Sequence, residues 1–169
     1  MKTCVTNQTV EKVKPARILI ADDHKEFRKI VADYLKRLPN VIVVGEAADG
    51  IDAIEKTEKL DPDIVLMDIS MPRCNGLDAT RIIKAHWPLK KVVIATMHDN
   101  PFYHSEAQRA HADGYILKSS LKSSLQAIID ESIVSLMNMA ASVADTHEQT
   151  NHCPENCCLT EKILQEKAQ

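Results

Sequence analysis

The chain has 169 residues, of which 44% are hydrophobic, enough for one packed domain of about 100–150 residues with some additional segment. Its 21 basic and 24 acidic residues leave a net charge of −3, which is not the electrostatic footprint of a nucleic-acid binder. No apolar run is long enough to span a bilayer and Met1–Lys14 lacks the apolar stretch of a secretory signal, so the five cysteines read as reduced thiols of a cytoplasmic protein.

In chain order, residues 1–15 are polar and are expected to be flexible. RILIA at 17–21 is a short apolar run rich in Ile, the pattern of a strand, and it runs directly into Asp22 and Asp23. Residues 25–38 place Phe27, Ile30, Val31, Tyr34, Leu35 and Leu38 on one helical stripe. A second strand is expected at 41–47 (VIVVGEA), a second helix at 50–60 through Ile51, Ile54 and Leu60, a third strand at 63–67 (DIVLM) and a third helix at about 76–86. The fourth strand, 91–96 (KVVIAT), precedes a weaker helix at about 101–112; the fifth, 113–117 (DGYIL), precedes a helix starting near Ser120. Strands that are apolar throughout suit a parallel sheet covered on both faces. The expected fold is therefore α/β: a doubly wound, five-stranded (βα)5 domain over 16–136, with right-handed crossovers.

In such a sheet, ligands bind beyond the carboxyl ends of the strands. Asp22 and Asp23 follow strand one, Asp68 follows strand three, Thr96 ends strand four and Lys118 follows strand five. Adjacent carboxylates repel more strongly as the dielectric falls, so this rim calls for a cation. Three carboxylates, a hydroxyl and an ammonium make a set suited to a hard divalent metal, a nucleophile and a fixed positive charge.

The stretches ADDH, IVLMDISMPRCNGLD, ATMHDN and GYILKSS, in this order at strand ends, resemble the receiver domain of bacterial response regulators, a flavodoxin-like fold. The resemblance covers roughly 16–136. It implies phosphoryl transfer from a histidine kinase or phosphotransfer protein onto Asp68, with Mg²⁺ (or Mn²⁺) held by Asp22, Asp23, Asp68 and the backbone carbonyl of Ser70, and with Lys118 neutralising a phosphoryl oxygen. Thr96 and Tyr115 are the implied switch pair: the hydroxyl moves to the new phosphoryl oxygen and the ring packs inward. The implied readout face is helix 4, strand 5 and helix 5, offered to a downstream protein or a second copy. Met97 is bulkier than the small residue many receivers carry after the threonine, which would crowd water access and slow dephosphorylation. Lys118 is followed by Ser119 where many receivers have a cis proline, which puts the cis geometry in doubt.

The segment MHDNPFYHSEAQRAHADGYILKSS further resembles the subgroup that usually carries a C-terminal helix-turn-helix domain. About 33 residues follow the receiver, and the expectation is a stand-alone receiver without nucleic-acid contact, the alternative being a DNA-binding regulator whose output domain has been removed. Residues 137–169 form a C-terminal extension. The fifth helix is expected to run on through Ile133, Leu136, Met137, Ala140 and Val143, roughly 24 residues or about 36 Å, with a Met/Ala-rich end suited to docking. In the tail, His152, Cys153, Cys157 and Cys158 together with His147 could close a zinc site, yet their spacing matches no usual CxxC pair, and a disordered or partner-bound tail is the simpler reading. Phosphatases of the haloacid-dehalogenase type also use a strand-end aspartate, but need a second acid two residues later; Ser70 stands there, so a turnover enzyme is not expected.

Overall fold

The computed structural model describes residues 14–131. Five strands, β1 (Ala16–Ala21), β2 (Val41–Ala47), β3 (Ile64–Met67), β4 (Lys91–Thr96) and β5 (Gly114–Leu117), alternate with α1 (Lys25–Leu35), α2 (Gly50–Leu60), α3 (Gly76–His86) and α4 (Pro101–Arg109). After β5 a 3₁₀ turn at Lys118–Ser120 leads into α5, described over 121–131. All pairings are parallel and the strand order is β2-β1-β3-β4-β5. The order reverses between β1 and β3, which makes their carboxyl ends the crevice in which such sheets bind ligands.

Alternation along each strand builds two cores. Ile18, Ile20, Ile64, Leu66, Val93, Ala95 and Ile116 pack with Val31 and Leu35 of α1 and with Leu121, Leu125 and Ile129 of α5. Leu19, Ala21, Val65, Met67, Val92 and Ile94 face the other way, onto Ala53 and Ile54 of α2, Leu77 and Ile83 of α3 and Ala107 of α4. This two-sided burial is why the strands carry no polar alternation.

Local chemistry sets the helix ends. The side chain of Asp49 accepts from the N–H groups of Ile51 and Asp52 at the start of α2, Asn75 from Asp78 at α3, and Asn100 from Phe102 at α4, where Pro101 takes the first turn. α4 stops at Arg109, short of the expected 112. His111 adopts φ 59° and the Ala112 N–H donates to Ala107 O at 3.0 Å, a left-handed Schellman closure. α1 likewise ends at Leu35 rather than 38, in tighter bonds from Arg37 to Tyr34 and Leu38 to Leu35 ahead of Pro39. Ile30 departs from the expected stripe. It is 58% exposed, since Phe27, Val31, Tyr34, Leu35 and Leu38 fill the core-facing side and leave Ile30 at the edge of a groove with Arg37 and Lys122.

Two glycines permit the close approach that shapes the β3–α3 loop. A Cβ on Gly76 would lie 1.8 Å from Asp68 O, and one on Gly50 would lie 2.4 Å from Cys74 O. Gly76→Ala should therefore lower the unfolding free energy by about 3 kcal/mol, read from urea denaturation; an unchanged midpoint would show that the loop has slack the geometry denies.

Candidate functional site

The register of the sheet brings the strand-end residues together. Ala21 of β1 pairs with Met67 of β3, so Asp22 and Asp68 are the neighbouring residues just past each strand. Asp22 N–H donates to Ala47 O (3.0 Å) and Asp68 N–H to Ala21 O (2.8 Å), which keeps both backbones in the ladder. Asp22 is 1% exposed and Asp68 4%. Lys118, first past β5, extends its arm across the end of β4. Its Nζ lies 2.6 Å from Asp22 Oδ2 and 3.2 Å from Asp68 Oδ2, with 7% of the side chain exposed. One ammonium thus bridges two buried carboxylates.

Burial pushes the Asp68 carboxyl above its ordinary range. Lys118 pulls it back and the neighbouring Asp22 charge adds to the rise, and the net direction is upward.

Asp23 points outward and its Oδ1 lies 2.6 Å from His24 Nδ1, while Asp22 Oδ1 accepts the His24 N–H at 2.9 Å. Ligand atoms of Asp22, Asp23 and His24 all fall within 4.8 Å of one another. His24 was not expected here; its place directly after the acidic pair was the available signal. Arg28, one turn into α1, donates to Asp22 O at 2.6 Å and pairs with Glu46 at 3.0 Å, holding the acidic turn against β2. Phe27 presents its ring to Lys118, with Nζ 4.6 Å from the centroid. Neither role was readable beforehand, because both depend on how α1 is rotated over the sheet.

Thr96 is fully buried at the end of β4, and its Oγ1 accepts the His98 N–H at 3.2 Å. Tyr115 donates its hydroxyl to His98 O at 2.6 Å, with its ring 3.7 Å from that of His104; burial raises the phenol's pKa, with Asp99 adding to the effect. Ser70 is exposed, its Oγ 3.4 Å from His98 Nε2. His98, unnoticed in the sequence, therefore links the Asp68 loop, Thr96 and Tyr115. Met97 is 72% exposed, so its side chain stands in solvent. No cis peptide occurs among the described residues, Lys118–Ser119 included. The loop carrying Ser70 is also tied to α2: Arg73, at φ 63°, pairs with Asp49, and Gly50 N–H donates to Cys74 O at 3.1 Å. Burial opposes ionisation of Asp49, but the Asp52 N–H and Arg73 outweigh it and lower its pKa. The tail residues His147, His152, Cys153, Cys157 and Cys158, and the expected continuation of the fifth helix beyond residue 131, lie outside the described residues.

A family model described as the response regulator receiver domain matches residues 18–130. The chain belongs to that family. It is 41% identical over 102 residues to the transcriptional regulatory protein DegU of Brevibacillus brevis, covering 60% of this chain and 43% of that protein. It is 43% identical over 81 residues to a protein-glutamate methylesterase/protein-glutamine glutaminase of Pyrococcus abyssi, covering 48% of this chain and 22% of that one. The receiver thus spans less than half the length of these curated relatives. Among solved structures, the signal receiver domain of the putative response regulator NarL from Mycobacterium tuberculosis matches with a TM-score of 0.66 and 31% identity, over 70% of this chain and 97% of that one. Among the described residues, no helix is long and apolar enough to cross a membrane.

The raised pKa of Asp68 has a sign that can be measured. A carboxyl whose folded pKa exceeds its unfolded one contributes stability that is fully present below the unfolded pKa and is lost as pH rises through the folded one. In chelator, Asp68→Asn is therefore expected to be more stable than the wild type at neutral pH, the advantage shrinking as pH falls through the folded pKa. Urea midpoints of both proteins across roughly pH 4 to 8 test it; a mutant advantage that is absent at neutral pH would mean that Lys118 fully offsets the burial.

Proposed function

We propose that this receiver accepts a phosphoryl group on Asp68 from a histidine kinase or phosphotransfer protein, with a divalent cation present, in a cytoplasmic two-component pathway. The bridging of Asp22 and Asp68 by Lys118 carries the reading. It supports a nucleophilic carboxylate, a second buried acid and a neutralising ammonium within one small volume.

The donor set fits a hard cation. Asp22, Asp23 and Asp68 offer only oxygen and leave two negative charges uncompensated by Lys118, as suits Mg²⁺ or Mn²⁺. Asp22, Asp23, Asp68 and the backbone carbonyl of Ser70 would hold it, and when bound it supplies charge neutralisation for an incoming phosphoryl group. Asp68 Oδ attacks phosphorus, an O–P bond forms as the donor's N–P bond breaks, and the electron pair leaves with the donor imidazole, which takes up a proton. Lys118, already beside Asp68, passes to a phosphoryl oxygen. Thr96 then turns its hydroxyl to the new acceptor, releasing the His98 N–H, and Tyr115, tied to the same residue's carbonyl, moves with it. The α4–β5–α5 surface is the readout, for a downstream protein or a second copy.

The output is the less constrained part. The names of the relatives include a transcriptional regulator and a methylesterase, and the DegU likeness favours a transcriptional output over docking by a receiver that acts alone. The chain matches only 22% of the methylesterase relative, so that activity is not carried over to it.

Incubation with acetyl phosphate and Mg²⁺ should add one phosphoryl group by intact mass, lost in chelator and in Asp68→Asn. Continuous phosphate release without adduct would favour a phosphatase, and neither outcome a receiver that does not accept phosphate. Lys118→Ala should slow adduct formation by about 10²-fold, measured from the time course at saturating Mg²⁺.

A further inference from the structure

We propose that Phe27 is a positioning residue for Lys118, its ring holding the ammonium in line with Asp68; this rests on the phosphoryl-accepting reading. Lys118 Nζ lies 2.6 Å from Asp22, 3.2 Å from Asp68, and 4.6 Å from the centroid of the Phe27 ring, over its face. The two carboxylates do not stay constant. Acyl phosphate formation on Asp68 moves its negative charge out onto the phosphoryl oxygens, and a divalent cation would compete for both acids. The ring alone keeps the same electrostatic face throughout, and a cation over that face is attracted by the quadrupole most strongly where water is excluded. The lysine arm, with four rotatable bonds, is 7% exposed, so this attraction is little screened.

The placement of the ring is built in by the fold. Phe27 packs from α1 against the core shared with α5, the helix that begins just after Lys118, and its neighbour Arg28 anchors the same turn of α1 to Asp22 O. The seat is also not tight. A void of about 10 Å³ lies between Phe27 and the strand residues Ile20, Leu66 and Ala95, and Phe27→Leu enlarges it, so the thermal midpoint is read beside the rate.

The test compares Phe27→Leu, apolar but without a ring, with Phe27→Tyr, which keeps one. Lys118 ε-methylene protons, observed by NMR with isotope-labelled lysine, should be shifted upfield by the ring in the wild type and in Phe27→Tyr, and lose that shift in Phe27→Leu. Phosphorylation by acetyl phosphate at saturating Mg²⁺ should slow about tenfold in Phe27→Leu and return to within about twofold of the wild type in Phe27→Tyr. A Phe27→Leu protein with unchanged lysine shift, or with unchanged rate, overturns the proposal. Equal slowing in both variants, tracking their thermal midpoints, also overturns it by reducing Phe27 to core packing. Should the wild type take no phosphoryl group, the receiver reading fails by itself, and the lysine shift still decides whether the ring positions Lys118.

Discussion

Everything at the carboxyl edge of the sheet depends on one electrostatic arrangement, a single buried ammonium shared by two buried carboxylates. Isolated carboxylates at 1% and 4% exposure would be strongly penalised by lost solvation, and removing the shared cation would leave both uncompensated. Lys118 offsets part of that cost, while the raised pKa of Asp68 shows that it does not offset all of it. The remaining imbalance supports the proposed reading of the rim as a reactive site. A site built only for stability would pair each acid or replace it with an apolar side chain; this one retains excess negative charge where an added cation or a covalent modification can relieve it.

The backbone makes that imbalance sustainable. Asp22 and Asp68 begin where the β1–β3 ladder ends, with their N–H groups still bonded to Ala47 O and Ala21 O, so the backbone at both positions is fixed by the sheet. On the far side of Asp68, the loop to α3 is closed by Gly76 N–H to Ile69 O at 2.9 Å and by its ties to the start of α2. The carboxylate proposed as nucleophile is therefore carried between a ladder and a clamped loop, which fixes its backbone.

The sheet and its rim were legible because both follow from period and topology. Continuous apolar runs identified the five strands nearly to the residue, and once they are parallel, Asp22, Asp68, Thr96 and Lys118 must share an edge. Helix ends were less legible, since α4 is closed by the left-handed His111, a residue with no glycine-like signature. Ile30 was misassigned because a stripe defines which side of a helix is apolar, not how far α5 covers it. Phe27, Arg28 and His98 were invisible as site residues for a related reason: their partners are Lys118 Nζ, a backbone carbonyl and a neighbouring loop, and no spacing in the chain encodes those meetings.

His98 bears most directly on how a change at Asp68 would travel. Its N–H reaches Thr96, its carbonyl receives the Tyr115 hydroxyl, and its ring lies beside Ser70. A threonine hydroxyl that turns toward a phosphoryl group gives up one bond to the same residue whose carbonyl anchors the aromatic ring on β5. The two positions proposed as the switch thus share one residue of backbone as their partner, which would couple them without a long pathway or a large motion. These contacts lie wholly within residues 18–130, the stretch matched by the receiver family model.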